Sequence, residues 1–411
     1  MDSEETGISG RRCDLVEGTS SWAQIAIGLS VYLAGWVVLF LLARHFNLEK
    51  RGLKVGPLYF VYKTTSLNRR LEYLAHKLRN TWRVLFTIGA AVGVGMLVLI
   101  LYQLLRNAFN LIYRTREAGP VQVLLPIPGV TMSWENFPYA IIAICILLVS
   151  HETAHAVASL VEGVPIKSSG IFLAAIVPGG LVELDDEVLN KSPCSTQLRV
   201  FASGSSANLA ISLIVLILMA NFTMTITPFY TIVPSGVLVG GVTMGHPAEK
   251  AGIKAGDIIE GINGAKIGSI EDLRAFMAQI KPDTSLAVLT SRGRFELTTA
   301  TDPGNSTRAI LGVTQLSDHV TYLPKLGFLS SYLPRQLFNL EFWIYFVTLN
   351  VALVNMLPLF PLDGDRFLLA LVQAFGVKNA KAVRSTMSAF SFIILAMNLF
   401  LSYAMFGFVR I

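Results

Sequence analysis

Charged residues are scarce in this chain of 411 residues. Only 15% are Asp, Glu, Lys or Arg, whereas 53% are hydrophobic and the mean hydropathy is +0.57. A soluble domain ordinarily has about 25% charged residues, so the composition excludes a chain made mainly of soluble domains. It predicts a polytopic α-helical membrane protein, embedded in a lipid bilayer.

Cysteine is also rare. Cys13, Cys145 and Cys194 are the only three, and they form no C-x-x-C pair, so the sequence predicts neither a disulfide framework nor a cysteine-bound metal. A net charge of +6 can indicate a nucleic-acid partner, but the basic residues cluster beside apolar segments. That placement is typical of membrane topology, and we expect no nucleic acid to bind.

Six apolar runs are long enough to cross roughly 30 Å of hydrocarbon, which takes about 20 helical residues. The segment from Arg44 to Arg83 has ten Lys or Arg against two acidic residues. The positive-inside rule makes it cytoplasmic, so both termini are predicted to lie outside the cytoplasm. The predicted spans are residues 22–44, 84–105, 138–160, 200–222, 338–358 and 386–408.

Residues 228–335 interrupt this membrane pattern. Alternating stretches such as SLAVLT and RFELTT, with Gly, Pro, Asp and Asn at turns, predict a small soluble α/β domain outside the cytoplasm. Within it, HPAEKAGIKAGDIIEGINGAKIGSIEDL (residues 246–273) resembles a PDZ domain of the kind found on bacterial and archaeal proteases. The resemblance implies a sheet edge that binds peptides or protein termini as an extra strand. A spacer domain that binds nothing is the alternative.

Three ionisable residues fall within five positions of the third predicted span, in LVSHETAHAVASL (residues 148–160). His151 and His155 are four residues apart, so both project from one helix face and could hold one metal ion. Glu152 lies beside them and could take a proton from a zinc-bound water. Because unpaired ionisable groups are costly at membrane depth, this pattern favours a zinc site over structural histidines.

A catalytic zinc site needs a third protein ligand, and NMLPLFPLDGDRF, beginning at Asn355, is the best source. Its two prolines interrupt the fifth run, and Gly364 lets the backbone turn beside Asp363. At about 1.5 Å per residue, the third span has travelled roughly 20 Å by His151 and is about 10 Å from the cytoplasmic face. Asp363 lies at the same end of the fifth span and is therefore predicted to complete the site. An ordinary helix cap is the alternative.

Together these motifs resemble the site-2 protease family of intramembrane zinc metalloproteases, over most of residues 138–408. The resemblance implies one zinc ion per chain, bound by His151, His155 and Asp363. It also implies that Glu152 is the general base.

Other elements of the family pattern are less complete. Asn355 opens an N-x-x-P element that is implied to hold an unwound substrate strand, and PGGLVELDDEVL (residues 178–189) is similar to a segment that presents a strand edge to substrate. Asp365 stands where the family often has Gly, and we assign it to the cytoplasmic surface. The usual G-P-x-x-N element reads GSSAN (residues 204–208), so Asn208 could bind substrate or serve only in helix packing.

Two further patterns have structural interpretations. Gly89 and Gly93 have the G-x-x-x-G spacing that predicts close helix packing rather than a phosphate loop. The acidic cluster at residues 183–187 predicts a solvated helix start rather than a second metal site.

The expected organisation follows from these segments. It comprises an extracytoplasmic tail (1–21), two spans with a basic cytoplasmic loop (22–134), the zinc-binding helix with a membrane-associated segment and the next span (135–227), the PDZ-like domain and connector (228–335), and the L-D-G helix with the last span (336–411).

The resemblance implies a function. The chain would hydrolyse peptide bonds within the membrane segments of single-span proteins, near the cytoplasmic side, and release a cytoplasmic regulator. An idle client-binding relative and a metal or ion transporter are the alternatives. The complete set of ligands and base disfavours the first, and the glutamate of HETAH together with the soluble domain disfavours the second.

Overall fold

The computed structural model describes residues 22–46, 52–56, 58–64, 68–123, 126–128, 131–174 and 177–407. These residues form two compact units, one up to Ile217 and again from Asn339, the other from Leu218 to Phe338. The predicted tail at 1–21, with Cys13, lies outside the described residues.

Helices dominate the first unit, and strands dominate the second. In chain order the elements are α1 (Trp22–His45), β1 (Leu53–Gly56), β2 (Tyr59–Thr64), α2 (Asn68–Lys77), α3 (Arg79–Ile112), α4 (Phe137–Val161), β3 (Ile166–Ala174), β4 (Val177–Leu184), α5 (Asp186–Lys191), α6 (Cys194–Ala220), α7 (Phe222–Ile226), β5 (Tyr230–Leu238), β6 (Gly241–Val242), α8 (Pro247–Lys250), β7 (Ile258–Ile262), β8 (Ala265–Lys266), α9 (Ile270–Met277), β9 (Ser285–Thr290), β10 (Gly293–Thr298), β11 (Ala300–Asp302), β12 (Asn305–Ile310), β13 (Val313–Thr314), β14 (Ser317–Pro324), α10 (Leu333–Asn355), α11 (Asp363–Ala374) and α12 (Ala380–Phe406).

Among the described residues, five helices are long and apolar enough to cross a membrane: α3, α4, α6, α10 and α12. They correspond to the last five of the six predicted spans. The first predicted span falls on α1, whose part with described side chains, Tyr32–His45, is apolar but shorter than a span. Outward-facing side chains such as Val84, Ile88 and Ile217 are more than half exposed, which is unfavourable in water and favourable in lipid.

Two glycines bring α3 close to α6. A Cβ atom at Gly89 would lie 2.7 Å from Ser206 Oγ, and one at Gly93 would lie 3.1 Å from the Cβ of Ala202. Ser206 Oγ also donates a hydrogen bond to the Gly89 carbonyl at 3.1 Å. The predicted close packing is confirmed, and only a residue without a side chain leaves room for it.

A four-stranded antiparallel sheet in the order β1-β2-β3-β4 belongs to the helical unit. The strand edge predicted near residues 178–189 is present as β4. Strands β1 and β2 lie in the basic segment, where the sequence predicted only a loop. Its charges obscured the short run YFVYKT, whose aromatic and β-branched residues favour a strand, and β2 pairs with β3 from Tyr59 opposite Ala174 to Thr64 opposite Ser169.

The second unit has an α/β architecture and contains the segment predicted to be soluble. Its main sheet has the order β10-β9-β7-β5-β14, and β8 pairs with β7. Asn263 and Gly264 join β7 to β8 with φ values of 50° and 83°, the left-handed geometry of a tight hairpin turn. Val237, Ile259 and Val288 are fully buried in its core.

A buried ion pair fixes the start of β7 to the turn after β9. The Asp257 carboxylate, with 3% of its side chain exposed, accepts hydrogen bonds from the Arg292 guanidinium and from the Lys254 backbone at 2.8 Å. The hydrogen bonds from Arg292 hold the pKa of Asp257 below its ordinary value of 3.8. A carboxyl whose pKa is lowered by folding stabilises the folded state above its unfolded pKa, and this contribution is lost as the pH falls through the folded pKa.

We therefore expect Asp257→Asn to destabilise the second unit by about 2 kcal/mol at pH 7, because it removes the charge but leaves Arg292 unpaired. The difference from the wild type should shrink below about pH 4. Hydrogen–deuterium exchange of the β7 and β9 amides in the full-length protein measures this loss of stability. Glu296→Gln, in a pair whose side chains are 67% and 75% exposed, should change nothing measurable; an equal loss there would contradict the assignment.

Candidate metal centre

Helix α4 places His151 and His155 on one face, one turn apart. Their side chains are 10% and 11% exposed, and their Nε2 atoms lie 3.2 Å from each other. The i, i+4 spacing accounts for this approach.

The turn between α10 and α11 brings a carboxylate to the same point. Helix α10 ends at Asn355, and α11 begins at Asp363. A Cβ atom at Gly364 would lie 2.2 Å from the Met356 carbonyl oxygen, so this turn requires glycine. Asp363 Oδ2 lies 3.2 Å from Nε2 of His151 and 3.2 Å from Nε2 of His155. The three predicted ligands are thus together, although Asp363 is 208 positions from His155.

A hydrogen bond at Nδ1 sets the tautomer of His155. Its Nδ1 lies 2.8 Å from the Val200 carbonyl oxygen, which can only accept, so Nδ1 has the proton and donates it. In the neutral ring, Nε2 is then left with a lone pair that faces Asp363. A backbone carbonyl behind a histidine is the usual partner of a metal-binding imidazole.

His151 is held from behind by a side-chain amide. Asn208 is fully buried on α6, its Nδ2 lies 3.0 Å from His151 Nδ1, and its Oδ1 accepts from Ser150 Oγ at 2.9 Å. Turning the amide over exchanges its oxygen and nitrogen and presents a carbonyl to Nδ1. In that orientation His151 Nδ1 would donate its proton to Asn208, and Nε2 of the neutral ring would keep its lone pair.

Three atoms that can bind a metal thus meet at this point, and a cation would be attracted by the carboxylate and by both imidazole lone pairs. His151, His155 and Asp363 are the cluster among the described residues that could hold a metal ion. The ligand atoms lie 3.2 Å from one another, a spacing that suits three ligands of one ion at the usual zinc distance of about 2.0–2.1 Å. The donor set of two imidazoles and one carboxylate therefore fits zinc and leaves a fourth position open.

Gly204 is a functional residue that the sequence analysis missed. A Cβ atom there would lie 2.5 Å from His155 Nε2 and 2.6 Å from His151 Cε1, so the backbone of α6 directly backs the two rings. The sequence contains a signal for it, since Gly204 opens the GSSAN segment that ends at Asn208.

Glu152 lies under strand β4. A Cβ atom at Gly180 would lie 2.1 Å from Glu152 Cγ and 3.1 Å from its carboxyl carbon. Glu152 is not part of the three-ligand cluster, so its carboxylate stays available for proton transfer. Strand β4 ends the sheet, and no described strand pairs with its outer edge.

Asn355 reaches the same site from the end of α10. Its Nδ2 lies 3.5 Å from His151 Nε2, and the side chain is only partly buried. Its predicted role in holding substrate stays a prediction.

For Asn208, full burial behind His151 favours orientation of the imidazole over contact with substrate.

The assignment of Asp365 to the cytoplasmic surface was wrong. Its side chain is 2% exposed and forms an ion pair with Arg384 of α12, whose Nε donates to both carboxylate oxygens at 2.9 Å. No local pattern in the sequence indicates this partner, which is 19 positions away. The pair anchors α11 two residues after Asp363, so Asp365 is unsuitable as a neutral control for Asp363.

A second buried ionic cluster joins α4 to α6. Glu162, directly after α4 and 4% exposed in its side chain, accepts two hydrogen bonds from Arg199 at 2.8 and 2.7 Å and one from Thr196. Arg199 immediately precedes Val200, whose carbonyl accepts the His155 proton. The cluster therefore fixes the position of α6 relative to α4 and keeps the Val200 carbonyl within hydrogen-bond distance of His155.

The chain is similar to known proteins over the segment that contains this site. The family model of peptidase family M50 matches residues 139–398, more than half of the chain. The membrane-bound transcription factor site-2 protease homolog of Arabidopsis thaliana is 28% identical over 173 residues, 42% of this chain and 33% of the plant protein. An uncharacterized protein of Methanocaldococcus jannaschii is 25% identical over 337 residues, 82% of each chain. The chain thus matches a third of the plant protein's length and most of the archaeal one's.

We expect Gly204→Ala to lower zinc affinity about 10- to 100-fold, the range seen when the surroundings of metal-binding histidines are disturbed. The added methyl group must displace one of the two rings. Competition with a chromogenic chelator measures the affinity. Gly95→Ala is the matched control, because a Cβ atom there has nothing within 4 Å; equal losses in the two variants would show that the effect is not local.

Proposed function

The chain belongs to peptidase family M50, the site-2 protease family of membrane metalloproteases, and we propose that it is a zinc endopeptidase that cuts within membrane-spanning segments. The observation that carries this proposal is the cluster of His151, His155 and Asp363 with Glu152 beside it under a free strand edge. The same residues were expected from the sequence.

The residues have distinct tasks. His151, His155 and Asp363 would hold zinc, which supplies polarisation of the peptide carbonyl and activation of water when bound. Glu152 accepts a proton from the attacking water and returns it to the amine nitrogen as the carbon–nitrogen bond breaks. The Val200 carbonyl favours the tautomer of His155 that offers Nε2, and the Asn208 amide, with its oxygen turned toward Nδ1, would do the same for His151.

Substrate binding is assigned to the edge of β4. A membrane helix hides its carbonyl groups in internal hydrogen bonds, so it must unwind locally before it can be cut. An unwound strand could pair with the free edge of β4, whose Gly180 lies directly over Glu152. Asn355, partly exposed beside the ligands, is suited to hold the strand from the other side.

The proposed cut lies nearer the cytoplasm. His151 is the fifteenth residue of α4, which places it roughly 20 Å along the helix, and the basic segment before α3 would lie in the cytoplasm under the positive-inside rule. Cleavage there would release a cytoplasmic regulator from a single-span protein. The name of the plant relative, a membrane-bound transcription factor site-2 protease homolog, supports this kind of substrate.

The second unit is proposed to bind peptide termini in the manner of a PDZ domain. Strand β14 lies at one end of its sheet, beside α9, and no described strand covers its outer edge. Asp318 of β14 accepts a hydrogen bond from the Ile270 backbone at 2.6 Å, which ties the strand to α9. Arg274 lines the cleft between them and has no acidic partner among the described residues, so it could receive a terminal carboxylate.

Glu152→Gln should keep zinc and slow cleavage at least about a hundredfold, because the amide cannot accept the proton. Asp363→Ala should lose both zinc and cleavage. Metal analysis of the purified variants and gel assays on a panel of tagged single-span proteins, with and without a chelator, measure the two effects.

Asp186→Ala is the control for Asp363→Ala, since Asp186 is an exposed acid whose pairing with Arg366 is also exposed. It should keep metal and activity. Near-normal proteolysis by the Glu152 variant would remove the proposed mechanism, and full zinc occupancy after Asp363→Ala would remove the ligand assignment.

Removal of the PDZ-like unit should leave zinc binding intact and widen the range of proteins that are cut, because we assign it to substrate selection. Deletion of residues 235–319 joins Pro234 to Val320, which are register partners in the β5 and β14 pair, so a short linker suffices. The assay is cleavage of the same tagged panel. Loss of all activity with zinc retained would assign the unit a part in catalysis itself.

A further inference from the structure

Helix α2 is held firmly at the end of α4. Leu71 and Ala75 are buried in the core that α4 shares with its neighbours. The indole nitrogen of Trp82 donates to the Leu74 carbonyl at 3.1 Å, which fixes the angle between α2 and α3. The position of α2 is therefore set by packing.

The border of the lipid-facing surface lies just beyond α2. On α3 the exposed apolar side chains begin with Val84 and Leu85, which are 59% and 50% exposed. Helix α2 precedes them by about two turns, at the level expected for lipid headgroups. Tyr73 on its outer face is 66% exposed, and exposed tyrosine is typical of this level.

Two basic residues near α2 already have partners. Arg79 donates to the Val161 carbonyl at 3.0 Å, and Arg83 pairs with Glu162 at 3.3 Å. Both therefore serve the end of α4.

The remaining basic residues have no acidic partner. Arg69, Arg70 and Lys77 are exposed, and no carboxylate of the described residues lies within ion-pair distance of them. Arg70, Tyr73 and Lys77 are spaced i, i+3, i+7 and share one face, and the Lys77 ammonium lies 5.5 Å from the centre of the Tyr73 ring. Glu72 is the only acidic residue from 68 to 83.

We propose that Arg69, Arg70 and Lys77 bind the headgroup of an anionic phospholipid. The guanidinium groups match the oxygens of a phosphate, and an ammonium adds a compact charge. The location of α2 beside the lipid-facing surface of α3 selects a lipid as the source of that phosphate. The proposal is independent of the proteolytic function.

A lipid bound to α2 would stabilise the elements that surround the candidate metal centre. Asn68, at the start of α2, donates to the Ile166 carbonyl at 3.4 Å and accepts from Ser169 Oγ at 3.1 Å, which ties α2 to β3. The same helix packs on the half of α4 that follows His155. Lipid binding would therefore stabilise two elements at the site. These are α4, which contains His155, and the β3–β4 hairpin, which covers Glu152.

The test is a titration of the purified full-length protein with phosphatidylglycerol and with phosphatidylcholine of the same acyl chains, followed by native mass spectrometry. The wild type should bind the anionic lipid roughly 100-fold more tightly, at about fivefold for each of the three basic residues. The double variant Arg69→Gln, Arg70→Gln should lose about 25-fold in affinity for it, at about fivefold for each basic residue near an anionic surface, and keep its affinity for phosphatidylcholine.

The matched control removes the same charge at the other end of α3. Arg114 and Arg116 are exposed and follow α3 directly, so Arg114→Gln, Arg116→Gln should keep the preference. No preference in the wild type, a preserved preference in the α2 variant, or an equal loss in the control would overturn the proposal. Displacement of phosphatidylglycerol by excess inorganic phosphate would also overturn it, since the site would then take a soluble anion.

Discussion

The meeting of three ligand atoms at one point is the constraint on which the helical unit depends. Nε2 of His151, Nε2 of His155 and Oδ2 of Asp363 lie 3.2 Å from one another, and the Val200 carbonyl and the Asn208 amide orient the two rings from behind. A metal ion bound here would use the lone pairs of both rings and balance the charge of the carboxylate. The interruption between α10 and α11 places Asp363 at the point where the two rings meet.

Small residues make this arrangement possible. In lipid there is no hydrophobic driving force between helices, so contact depends on close packing and hydrogen bonds. Gly89 and Gly93 bring α3 onto α6, Gly204 brings α6 onto the imidazole rings, and Gly180 brings β4 onto Glu152. Each position tolerates the approach only because it lacks a Cβ atom. The distances at the candidate metal centre are consequences of these contacts as much as of the ligands.

Charged groups are used sparingly and in buried pairs. Glu162 with Arg199 and Asp365 with Arg384 hold α6 and α11 at fixed heights beside the ligands. Removing one member of such a pair is costly because the other is left unpaired away from water. Three basic residues without such a partner among the described residues, Arg69, Arg70 and Lys77, lie instead on α2, where we propose that an anionic headgroup binds them.

The sequence by itself was enough to select the candidate ligands and the candidate base, because the i, i+4 histidines and the proline-flanked turn before Asp363 are local patterns with a direct chemical meaning. It also determined five of the apolar helices, since length and hydropathy are properties of a segment alone. Only the tertiary structure decided that Asp365 is buried against Arg384, that β1 and β2 extend the sheet beside α4, and that Gly204 and Asn208 back the imidazoles. These features depend on which residues meet across tens to hundreds of positions, and a single sequence contains no local signal of such contacts.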